Sequence, residues 1–210
     1  MNAARNTPQV SSAWRARLGT AGIIAATTLA LSPLAVTMST PVTVEARMGD
    51  QVPEPCDFTT SGGYVVTDAG KKANFGAHGG CKNGDFWGHL NFVDHSSGYH
   101  VNSVEVTAYI APFGVDEPVR DVCGIASTNN PNDPEYVYFR ARLMDNGEPG
   151  GLDQFGLKLD NGYTVTTRDL GTARPGAGNV QLHRPNNSTT LPLVDAATAC
   201  NGLSFDYAPE

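Results

Sequence analysis

Tyr136-Val137-Tyr138-Phe139-Arg140-Ala141-Arg142-Leu143, then Asp145-Asn146-Gly147-Glu148-Pro149-Gly150-Gly151-Leu152-Asp153, then Gln154-Phe155-Gly156-Leu157-Lys158-Leu159 is the stretch that decides the fold. Val137, Phe139, Ala141 and Leu143 alternate with Tyr136, Tyr138, Arg140 and Arg142. A period of two is that of a half-buried β-strand with one solvated face. Phe155, Leu157 and Leu159 repeat the pattern against Lys158. Between the two runs lies a loop with three carboxylates and three glycines. Its Gly and Asn residues accept the positive φ of tight turns, and Pro149 fixes its own φ and removes a donor.

Working outward, the same grammar recurs at intervals of roughly ten residues, the spacing of an all-β sandwich or barrel. The pattern predicts strands at Gly63–Thr67, Ala73–His78, Trp87–Val93, Tyr99–Ile110, Val122–Ser127, Tyr136–Leu143, Gln154–Leu159, Tyr163–Arg168 and Asn179–His183, with a last one at Ser204–Tyr207. Val104, Val106, Ala108 and Ile110 read as one apolar face. Asp160-Asn161-Gly162 is a hairpin turn, because Asn and Gly tolerate its dihedrals. Ser127–Glu135 is a polar loop. The fold expected is all-β: a single antiparallel β-sandwich, Ig-like or jelly-roll-like, stapled by disulfides.

The first residues read as a secretory signal peptide over 1–46. Arg5, Arg15 and Arg17 precede an apolar stretch from Leu18 to about Val36, and Val44-Glu45-Ala46 fits small-x-small cleavage. Cleavage near Ala35 or Ser39 is the alternative. The apolar stretch is at the short end of what spans a bilayer. Residues 47–61 form an extended lead-in, 62–184 the β domain, and 185–210 a C-terminal extension tied back by a disulfide. Removing 1–46, with three Arg and one Glu, takes the net charge from −7 to −9. An acidic surface argues against nucleic acid and anionic membrane as partners. Cys56, Cys81, Cys123 and Cys200 all follow the signal, and an even count in an exported chain predicts two disulfides. Three pairings are open; the reading favours Cys56–Cys200, joining the domain's ends, and Cys81–Cys123. Asn186 and Asn187 begin overlapping N-x-S/T sequons, which matter only in a glycosylating host.

Several residues could carry chemistry. Asp145, Glu148 and Asp153, with Asn146 and with Asp94 from another loop, offer the oxygen donors calcium takes, though the spacing is not that of an EF-hand. The plainer alternative is a turn whose side chains bond nearby amides. Asp94-His95 beside Ser96-Ser97 invites a secreted hydrolase reading with Glu148 or His183, yet no G-x-S-x-G elbow or H-E-x-x-H is present. Histidines 78, 89, 95 and 183 could meet on facing strands around zinc. Tyr136 and Tyr138 are candidate sugar-stacking residues on a solvated face.

The ordered blocks Lys72-Ala73-Asn74-Phe75-Gly76, Gly88-His89-Leu90-Asn91-Phe92-Val93-Asp94-His95, Asp145–Gly150 with Asp153 and Phe155, Asn161-Gly162-Tyr163 and Gly178-Asn179-Val180-Gln181-Leu182-His183 together resemble the post-COAP-1 domain, a small all-β domain of bacterial secreted and cell-surface proteins. The likeness covers about Gly62 to Arg184. It implies an extracellular accessory or adhesive module and supplies no catalytic residues. The expected function is a secreted, non-enzymatic module that binds an extracellular polymer, a protein or copies of itself. A structural subunit of an extracellular assembly is the second expectation, and it predicts an exposed unpaired edge strand or a donated terminal strand.

Overall fold

The computed structural model describes residues 50–172, 177–187, 190–196 and 198–205; the expected signal peptide lies outside them. Nine strands follow one another: β1 Phe58–Val66, β2 Lys72–Lys82, β3 Asp85–Asp94, β4 Tyr99–Ile110, β5 Val119–Thr128, β6 Val137–Met144, β7 Gln154–Leu159, β8 Thr164–Asp169 and β9 Gly178–His183. The first begins inside the stretch expected to be a lead-in. Ser204 and Phe205 are not in a strand, and residues 206–207 lie outside the described ones.

All nine strands hydrogen-bond into one antiparallel sheet in the order β8-β7-β6-β5-β4-β3-β2-β1-β9. Eight form a meander. β9 returns to pair with β1, setting His183 opposite Phe58 and Gly178 opposite Gly63. The expected sandwich of two sheets is therefore corrected to a single sheet curled into a half-barrel. Its inner face meets itself: Phe75 on β2 stacks on Phe155 on β7, with ring centres 3.9 Å apart, although four strands separate them in the sheet. Around this contact lie Leu90, Phe92, Val101, Phe139, Leu143 and Leu157, each buried. Across the opening, Arg168 of β8 donates to the Val66 carbonyl at 2.8 Å and pairs with Asp68.

The curl is built into β4 and β5. Their register slips between Ser103 and Glu105 and again between Val106 and Ala108. Each extra residue bends the strand and swaps the faces beyond it. Val106 therefore joins the main core, while Ala108 and Ile110 join a smaller cluster with Cys123 and Cys200, and Val104 is exposed. The single apolar face expected for these residues is split by the bulges. Gly124 sits opposite, where a Cβ would lie 2.0 Å from the Glu105 carbonyl oxygen; only glycine admits that approach.

The outer face also departs from simple alternation. Tyr136 and Tyr138 are exposed, but Arg140 and Arg142 are only 3% and 5% so. The C-terminal extension covers them. Leu203 accepts from Arg140 at 2.8 Å, the Phe205 ring lies 4.5 Å from the Arg142 guanidinium, and Asp50 reaches Arg140 from the other side at 3.1 Å. Asp121, fully buried, binds both arginines, at 2.6 Å and 2.8 Å.

Two disulfides join Cys56 to Cys81 and Cys123 to Cys200. The favoured pairing is thus corrected. Register brings the first bond within reach: Phe58 faces Gly80, so Cys81, one residue beyond, and Cys56, two residues before Phe58, lie diagonally across the ends of β1 and β2. Cys123 lies in the outer cluster of β5, beneath the returning extension. This second bond ties Cys200 to β5.

One end of the barrel is plugged by charge. Arg120 is 1% exposed and spends its donors on Asp57 and on the carbonyls of Val115, Glu117 and Val119. Tyr109 donates to Asp57 at 2.8 Å and shares a 2.8 Å hydrogen bond with Thr59. Burial, with the Asp57 charge, pushes the Tyr109 hydroxyl well above its ordinary pKa, so it remains a donor.

Candidate functional site

In an antiparallel meander, alternate loops emerge at the same end. The β3–β4, β5–β6 and β7–β8 loops therefore come together. They enclose a cleft of about 580 Å³ lined by Asp94, Ser97, Tyr99, Asn130, Asp133, Asn161 and Tyr163, among others.

The lining is a connected network. Asp94 Oδ1 accepts from the Ser96 amide at 2.8 Å and the Ser96 hydroxyl at 2.6 Å, which closes the β3–β4 turn. Its other oxygen accepts from the Tyr163 hydroxyl at 3.1 Å. Asp133 Oδ2 accepts from Tyr99 at 2.7 Å and Thr128 at 2.6 Å, and Oδ1 accepts from Asn130 at 3.0 Å. Asn161 donates to the Tyr99 oxygen at 2.8 Å. The Tyr99 and Tyr163 rings lie 4.8 Å apart, and Tyr163 packs edge-on against Phe92 of the core. Tyr99 at the start of β4 is set by its strand, and Tyr163 in the β7–β8 turn is held by Phe92, Tyr99 and Asp94.

Charge states follow from these contacts. Burial works to raise the Asp94 pKa, but hydrogen bonds from Ser96, Tyr163 and Ser97 together hold it below the usual carboxylate value. The Thr128 and Tyr99 hydroxyls do the same for Asp133. Burial and the adjacent carboxylates raise both tyrosines. At neutral pH the cleft therefore presents two anionic acceptors and two protonated phenols. A glycosidase-type general acid needs a carboxyl raised toward neutrality; Asp94 and Asp133 are both shifted the other way.

The hydrolase constellation is not assembled. His95 turns to Asn74 at 2.8 Å. Glu148 and His183 lie at the opposite strand end, where Glu148 meets Asn179 at 3.1 Å and His183 bonds Thr60 at 2.8 Å and stacks on Phe58. Exposed Tyr136 and Tyr138 are not in the cleft lining.

The carboxylates of the loop expected to hold calcium reach the edge strand. Asp145 accepts from the Leu182 amide at 2.8 Å, and Asp153 from the Val180 amide at 2.6 Å and the Asn146 amide at 2.8 Å. Val180 and Leu182 belong to the edge strand β9. Asp145 and Asp153 thus form a clasp that caps amides of that edge, and Glu148 accepts from the Asn179 side chain beside them. Among the described residues, no three His, Cys, Asp or Glu side chains converge as metal ligands. Burial raises the Asp153 pKa, the two amides oppose the rise, and the Asp145 and Glu148 charges add to it.

Of the four candidate zinc histidines, His78 and His89 come together as cross-strand partners, whereas His95 and His183 lie elsewhere. Burial and then the neighbouring His89 lower the His78 pKa.

The sequence marked every loop of the cleft but not their union. Asp94, the Ser127–Glu135 loop and the Asp160-Asn161-Gly162 turn all stood out as turn chemistry. Strands of similar length joined in a meander are the signal that places them at one end. Comparison of the chain with family models, with curated proteins and with solved structures finds no match in any of the three.

Proposed function

We propose that this chain is an exported, non-enzymatic binding module, of the post-COAP-1 kind its sequence resembles, that holds a neutral or cationic polyhydroxylated polymer in the strand-end cleft. The observation that carries this reading is the fixed network of Asp94, Tyr99, Asp133, Asn161 and Tyr163 around an open cleft. Planar amides, carboxylates and phenols offer directional partners to hydroxyl groups, and tyrosine rings offer a flat apolar face. The net charge of −7 disfavours anionic polymers. Two disulfides are compatible with an oxidising, extracellular setting. The assembly-subunit alternative draws less support, because the clasp caps β9 and Arg168 ties β8 to the end of β1.

The test is binding of the oxidised protein to immobilised neutral, cationic and anionic polysaccharides. Retention on a neutral or cationic polymer, lost in Asp133→Ala and Tyr163→Ala, supports the reading. Retention unchanged by both substitutions, or no retention on any polymer, refutes it.

A further inference from the structure

The outer face of β2 and β3 carries two imidazoles that neither the cleft nor the clasp uses. His78 and His89 are directly opposite in the ladder, with ring centres 6.0 Å apart and planes at 41°. A metal held at about 2.1 Å by one nitrogen of each ring sets the ring centres ~5–6 Å apart.

Three further features favour a ligand there. His89 Nδ1 is engaged by the Ser103 hydroxyl at 2.9 Å, which orients the ring and leaves Nε2 outward; an outer hydrogen bond of this kind is usual for metal-binding histidines. The His78 ring makes no hydrogen bond among the described residues, so both of its nitrogens are at hand. On the same face of β2, His78 is flanked by Gly76 and Gly80, and a Cβ at Gly76 would meet nothing within 4 Å. The face is open on the Gly76 side, with room for the waters that complete a coordination sphere, while Phe58 and Trp87 fill the Gly80 side.

We propose that His78 and His89 form a two-imidazole surface site for a divalent transition-metal ion. Neutral nitrogen donors select late first-row ions, and among Ni²⁺, Cu²⁺ and Zn²⁺ the copper ion binds most tightly. The site is separate from the polymer cleft and stands whether or not that cleft binds a polymer.

Trp87 supplies the reporter, with its ring 6.0 Å from that of His78. Glycine-buffered Cu²⁺ is titrated into the untagged, oxidised full chain carrying Trp14→Phe, so that only Trp87 emits. Saturable quenching at one equivalent is expected, with an electron paramagnetic resonance spectrum showing nitrogen coupling. His78→Gln and His89→Gln should each weaken binding by about 100-fold, the loss of an intramolecular second ligand. His95→Gln should leave it unchanged. Urea unfolding of each variant confirms its fold; if His89→Gln fails because Ser103 loses its partner, His78→Gln decides. Equal affinity in His78→Gln, or no saturable quenching in the parent, overturns the proposal.

Discussion

Replacing Asp153 with alanine removes the centre of the clasp. Two amides lose their acceptor, but unequally. Asn146 is exposed, so water can replace the carboxylate at its N–H. Val180 is 1% exposed, and its 2.6 Å bond has no substitute. An orphaned buried N–H costs about 1–3 kcal/mol, and the charge-assisted bond places the loss in the upper half. Burial already disfavours the Asp153 charge, and its removal returns part of that loss. The net expectation is a destabilisation of about 2 kcal/mol, which lowers the urea midpoint by roughly 1 M for a domain of this size. Equilibrium urea unfolding gives the midpoint, and amide exchange locates the effect: Val180 should exchange faster, while Phe139 in the core follows only the global change. The pH dependence has a definite sign. Because the folded pKa of Asp153 is raised, its contribution is complete below the unfolded value and diminishes as pH rises through the folded one. Asp153→Ala should therefore cost more at pH 4 than at pH 7. An unchanged midpoint together with unchanged Val180 exchange would refute the clasp.

Two further outcomes follow from other parts of the structure. Asp121→Ala leaves two guanidinium groups buried with no shared counter-charge, and urea unfolding should show a loss of about 3–5 kcal/mol; a loss below about 1 kcal/mol would mean the C-terminal cover lifts to let water in. Asp94 and Asp133 have lowered folded pKa values, so their stabilisation is present above the unfolded carboxylate value and is lost as pH falls through the folded ones. Asp133→Asn should flatten the acid limb of a stability–pH curve below about pH 4, measured by thermal unfolding, and a curve parallel to the parent's would contradict the network.

The strands were legible because each buries one face and wets the other. Val137, Phe139, Ala141 and Leu143 are all buried, as their alternation implies. Alternation does not say what the buried face meets, so one curled sheet and two stacked sheets write the same pattern. It also fails where register slips: the bulges in β4 send Val106 inward and Ile110 outward, although the sequence keeps a regular beat. Arg140 and Arg142 look solvated from their neighbours and are covered by distant chain: Asp50 and Phe113, and the extension that Cys200 brings across them. The Asp145–Asp153 loop announced itself by composition. Its carboxylates reach the amides of a strand that follows much later, and no local spacing encodes that encounter.

The return of β9 to β1 has a consequence for how the molecule is made. β1 forms early in the chain, and its outer edge is covered only when residues from the far end of the sequence arrive. Such long-range closure slows folding and lengthens the life of intermediates. Until β9 docks, β1 shows a bare row of amides and carbonyls to any other copy nearby. Crowding during synthesis is therefore where the β1 edge is most open to mispairing, and a folding helper that shields β1 would cover that interval.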